Sequence, residues 1–161
     1  MRRIDGRRIW KYAFGNRRPR GVLVASVVGF LALASVAFLS GANIGLYTFW
    51  GWIMLVPAVA IVAGVIGAGL VPSISSLWLI GVWGYVFPPL VGYITGEWSG
   101  GGRYTHPRLL GFAYGSARAE VFGGIEMSIN VGLMMAVIIG TLGYVFGSSI
   151  RRLATRIQSS R

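Results

Sequence analysis

Cysteine is absent from the 161 residues, and charge is scarce. Charged residues make up 12% of the chain, with four acids and one histidine. The missing cysteine excludes disulfides, iron–sulfur clusters, thiolate zinc sites and cysteine nucleophiles. The shortage of acids and histidine leaves general acid–base and nucleophilic chemistry almost no players, so the expectation is a non-enzymatic protein with no catalytic residue set and no cofactor. His106, followed by Pro107 and distant in sequence from the acids, is a poor metal signal because metal sites need several convergent ligands; no metal site is expected, and a capping or solvated role is.

What the chain does have is apolar length. Hydrophobic residues make up 55% and the mean hydropathy is +0.68. A soluble domain carries about 25% charged residues. A chain at half that level cannot cover its surface against water, so lipid is its natural solvent. The expected fold class is all-α, a polytopic membrane protein with four transmembrane helices. A bilayer core of ~30 Å needs about 20 apolar residues per helix, and exposed backbone groups in lipid must be satisfied within the helix. Four stretches qualify, at about 22–40, 49–71, 77–94 and 125–146. They read as two antiparallel hairpins, with the second and third spans joined by a tight turn at 72–76. A secretory signal is the competing reading of 22–40, since Ser35, Val36 and Ala37 resemble a cleavage site. Its apolar core is, however, longer than the 7–15 residues of such signals.

The charge distribution sets the orientation. The net charge is +11, and all of it sits at the two ends: residues 1–21 carry +7, residues 148–161 carry +4, and 95–124 with Glu126 sum to zero. Basic residues flanking spans mark the cytoplasmic side. Two basic tails (1–21 and 148–161) around a transmembrane domain at 22–147 therefore predict a multi-pass cell-membrane protein with both termini cytoplasmic. In that reading 41–48 and 95–124 lie outside. Tyr47, Phe49, Trp50, Trp52, Tyr93 and Trp98 form the outer aromatic belt, and Tyr144 and Phe146 mark the inner one. Arg7, Arg8, Lys11, Arg17, Arg18, Arg151 and Arg152 are the candidate contacts to anionic headgroups, worth about 1 kcal/mol each near the surface. Beside a membrane span, lipid is the expected partner of this charge; no nucleic acid is expected. Within the outer loop, apolar positions from Arg108 to Val121 fall near one face and predict a short interfacial helix.

Small residues recur at four-residue spacing: Ala60, Gly64 and Ala68 in the second stretch, Gly132, Ala136 and Gly140 in the fourth, Ala25 and Gly29 in the first. Such stripes let membrane helices approach closely, within one chain or between copies. Pro57, Pro88 and Pro89 each remove an N–H and disturb the carbonyl four residues back, at Ile53, Gly84 and Tyr85. Glu126 and Asn130 are four apart on one helical face, at the depth of those prolines. An ionisable residue in a span is a functional candidate by default, so Glu126, Asn130, Pro57 and Pro88 define a candidate outward-facing polar pocket. Two functions fit: a structural or accessory subunit of a larger membrane complex, or a small oligomeric transporter or channel built on that pocket.

Overall fold

The computed structural model describes residues 12–46, 50–100, 102–107 and 114–159, which form helices and loops with no strand among them. The helices are α1 (Arg17–Leu39), α2 (Gly51–Ile66), α3 (Leu70–Thr95), α4 (Ala117–Met127) and α5 (Leu133–Ser159). A π-helical turn, Ser128–Gly132, joins α4 to α5, so Ala117–Ser159 is one helical run of 43 residues. Three helical stretches are long and apolar enough to cross a membrane: Tyr12–Leu39, Leu70–Thr95 and Ala117–Ser159. The apolar α2 has 16 residues, a length of about 24 Å.

Two expectations about the connections are corrected. The link between the second and third apolar stretches is at 67–69, and residues 72–76 are helical. Gly67 (φ 72°) and Gly69 (φ 105°) hold left-handed backbone that L side chains resist. The Ala68 N–H closes on Ala63 O at 2.9 Å and the Gly67 N–H on Gly64 O at 3.3 Å, the hydrogen-bond pair that terminates a helix at glycine. Pro72 falls in the first turn of α3, where its missing N–H leaves no bond unmade. The separate interfacial helix from Arg108 to Val121 is likewise replaced. Residues 108–113 lie outside the described ones, and the helix starts at Ala117, where Ser116 caps it by accepting the Ala119 N–H at 3.2 Å. From there it continues into the long run.

The small residues on α2 and α5 pack these helices backbone to backbone. A side chain on Gly64 would strike Tyr144 O and Ser148 N, one on Gly143 would strike Ala60, and one on Gly147 would strike Ile61 O. The pairs 60/143, 64/147 and 67/151 advance together along both helices. Between α3 and α5 the order reverses: Ile74 lies against Gly140, and Gly81 against Gly132. α1 contributes one stripe, with Leu23, Val27, Leu31, Ala34 and Phe38 buried. Its Ala25 and Gly29 face away, and nothing approaches the Gly29 position.

Phe38, Trp52, Trp83 and Phe87 form the principal aromatic cluster, with Trp83 and Phe87 stacked at 5.5 Å. Trp52 is 4% exposed and donates its indole N–H to Ile44 O at 3.0 Å, so it is a core residue and not part of a belt. Tyr144 is also core, its hydroxyl donating to Tyr12 O at 3.4 Å. Trp50, Tyr93 and Phe146 are exposed as the belt reading requires; Tyr47 and Phe49 lie outside the described residues.

Replacing Gly147 by Leu is expected to cost at least the 1–3 kcal/mol typical of overpacking, because the opposing atoms are backbone. Gly29→Leu, into open space, is expected to leave the melting temperature in detergent unchanged. Equal losses for the two variants would refute the glycine contact as the determinant.

Candidate functional site

The four residues of the expected polar pocket are not brought together. Pro57 lines a cavity; Pro88 is buried and outside that lining; Glu126 and Asn130 are exposed on the outer surface of the Ala117–Ser159 run. Among the described residues neither the Glu126 carboxylate nor the Asn130 amide makes a hydrogen bond or ion pair.

The cavity that Pro57 lines has a volume of about 660 Å³. It lies between α2, α3 and α5. Val56 and Pro57 of α2, Met135 and Ile139 of α5, and Leu77, Gly81 and Tyr85 of α3 line it, and beyond it Ala60 and Gly143 are in contact. The π-helical turn supplies Val131 and Gly132 to the same wall. That turn is pinned from α3, whose Trp78 indole donates to Ser128 O at 3.0 Å. A proline and a π-turn thus border one space, and such turns concentrate at functional positions. The lining is almost wholly hydrocarbon, and none of its residues is charged.

Next to the cavity is a buried polar pair that the sequence did not announce. His106 Nδ1 lies 2.7 Å from Glu120 Oε1, and the same oxygen accepts the His106 backbone N–H at 2.9 Å. Both side chains are essentially inaccessible. The Ser116 cap positions Glu120 in the first turn of α4. Gly123 and Gly124 then permit close approach: Tyr114 packs over Gly123, and Gly124 lies against the Tyr85 carbonyl. Tyr114 also borders the His106 ring, with centroids 5.2 Å apart. The solvated role expected of His106 is therefore wrong. It ties the outer loop to α4. A Glu fourteen residues away gives no periodic signal, which is why sequence spacing missed it. No group of three potential metal-ligating residues gathers among the described residues.

Arg103 makes a second tie. Its guanidinium donates to Phe38 O at the end of α1 and sits 4.4 Å over the Phe38 ring. A cation at a helix C-terminus complements the dipole. Beside it the Tyr104 hydroxyl donates to Glu97, and that bond holds the phenol above its ordinary pKa by favouring the neutral form.

The headgroup candidates divide. Arg7, Arg8 and Lys11 lie outside the described residues. Arg17 and Arg18 are exposed. Arg151 reaches Gly67, and Arg152 donates to the Tyr12 hydroxyl at 3.2 Å. Asn16 N–H meets Gly67 O at 3.4 Å. Residues 12–16, the 67–69 turn and the start of the basic C-terminal segment therefore gather at one end of the bundle.

Comparison with known protein families, curated proteins and solved structures finds no match.

Glu120→Ala leaves buried donors without an acceptor and is expected to cost about 1–3 kcal/mol. Glu120→Gln, which keeps an acceptor oxygen, should cost less. Arg118→Ala, at an exposed position, should stay within about 0.5 kcal/mol. Thermal melting in detergent, with protease sensitivity of the 101–116 loop, checks the order; equal stability of Glu120→Ala and Arg118→Ala would refute a structural role for the pair.

Proposed function

We propose that the protein is a non-enzymatic accessory subunit of a membrane assembly. In this reading it crosses the cell membrane four times, as two antiparallel hairpins, with both termini cytoplasmic. Support for the crossings comes from the contact order: α1 and α2 pack oppositely, through Phe30 with Trp52 and Leu23 with Ala63, whereas α2 and α5 run the same way. The gathering of 12–16, 67–69 and 144–152 at one end supports a common side for both tails. At about 24 Å, α2 is short for the hydrocarbon core, and local thinning of the bilayer accommodates such a segment at modest cost.

The observation that carries the accessory role is the outward Glu126 and Asn130 pair. A carboxylate and an amide on the outer face of an apolar helix are costly against lipid and gain from a partner helix that bonds them. The large internal glycine contact is already satisfied within the chain, so this face is what remains for assembly. The same face would serve a homo-oligomeric channel, with Glu126 and Asn130 lining a path between copies.

Extraction in a mild detergent, native mass measurement and identification of what co-purifies test the proposal. A heterologous partner that is lost with Glu126→Leu, while the melting temperature holds, supports the accessory role. A homo-oligomer whose ion flux in liposomes is abolished by Glu126→Gln supports the channel. A monomer with neither property overturns both. Tags at either terminus should be protected in right-side-out vesicles and a tag after Gly100 accessible; opposite accessibility of the two ends would refute the even number of crossings.

A further inference from the structure

We infer that the cavity between α2, α3 and α5 is a binding site for one hydrocarbon chain entering sideways from the bilayer. The inference rests on the bilayer placement proposed above, but not on the accessory role. Three features build the site. Pro57 lines the space three residues before Ala60, whose contact with Gly143 bounds it. The π-helical turn keeps Val131 and Gly132 in the wall, and Trp78 holds that turn by its Ser128 carbonyl. Glycine forms the back: a Cβ on Gly81 would lie 3.6 Å from Gly132 Cα, so α3 and α5 meet there without side chains that would fill the space.

The size and chemistry of the space select the occupant. A volume of about 660 Å³ is in the range of small-molecule sites. The lining offers no charge, so nothing in it compensates a charged group or a strongly hydrated ligand. The rim residues Ile53 and Met135 are 60% and 45% exposed, on helices that face lipid in this reading. The medium at its mouth is hydrocarbon, and a flexible aliphatic chain is the species able to enter. A phospholipid acyl chain and a free fatty acid share that chemistry.

Photolabelling in phosphatidylcholine vesicles tests the inference. One arm carries a diazirine on a phospholipid acyl chain, the other a diazirine on a free fatty acid, and adducts are mapped by mass spectrometry. The expected result is adducts concentrated on Val56, Leu77 and Met135, reduced by more than half in Met135→Trp, which fills the mouth. Val137→Trp, at an exposed position outside the lining, should leave them unchanged. Ile53→Trp, on the opposite rim, should reproduce the loss and replaces Met135→Trp if that variant does not fold. The arm with the stronger labelling identifies the source of the chain. Adducts spread evenly over outward residues such as Val28 and Leu142, or labelling indifferent to both rim variants, would each overturn the site. Absence of adducts on any apolar helix would overturn the bilayer placement itself, a different failure from adducts that avoid the cavity.

Discussion

The backbone contact between α2 and α5 is the constraint on which the other arrangements depend. In hydrocarbon, apolar side chains gain little by leaving lipid for each other, so helix association rests on close packing of backbones. Gly64, Gly143 and Gly147 provide it, each where a side chain would meet opposing main-chain or Cβ atoms. The contact fixes α5 along the C-terminal half of α2. α3 then fits against α5 through Ser73 and Ile74 at Gly140, the Ser73 hydroxyl donating to Gly140 O at 3.4 Å. α1 adds only its narrow apolar stripe to a core already set.

At the basic end the same constraint organises charge. Because α2 and α5 advance together, the 67–69 turn comes beside Arg151, and the backbone of 12–16 closes over it through Asn16 and Tyr12. Cations that would repel in a compact group are spaced by glycine turns and by the Tyr12 ring, over which Arg152 lies at 5.7 Å. Arg17, Arg18 and Arg152 are exposed, and α5 carries Ile150, Leu153 and Ile157 on its surface among arginines. A helix of that composition suits the boundary between headgroups and acyl chains.

The apolar spans and the small-residue stripes of α2 and α5 were legible because both are periodic and local. The connection at 67–69 was not. Hydropathy runs unbroken from α2 through Gly67 and Gly69 into α3, and the glycines read equally well as packing positions, while Pro72 resembled a turn residue. Trp52 and Tyr144 were misassigned for a related reason. An aromatic near the end of a span sits at the interface or in the core according to which way it faces, and facing is decided by neighbours: Ile44 O and Trp83 for the first, Tyr12 O for the second. The His106–Glu120 pair was invisible because its partners meet only once the outer loop folds back on α4. Glu126 was visible as an unusual acid in an apolar run. Its pocket was misplaced because helical spacing places Glu126 and Asn130 on one face but says nothing of whether that face turns inward.

The division between the two halves of the bundle explains why a cavity can persist at all. Proline and a π-turn weaken helices, and in an unsupported pair of helices a gap would close by collapse of the side chains around it. Here the half around the α2–α5 glycines is locked by contacts that cannot slide without main-chain collision. The other half is tied at three places: Trp78 to Ser128 O, the Gly124 backbone against Tyr85 O, and the segment before α4 by Glu120 at His106 and by Arg103 at Phe38. The Glu120 bond to the His106 backbone is buried, where an unmade bond is expensive. Pro57 stands at the boundary between the two halves, three residues before the first close contact at Ala60. The irregular half of the bundle thus rests on the rigid one.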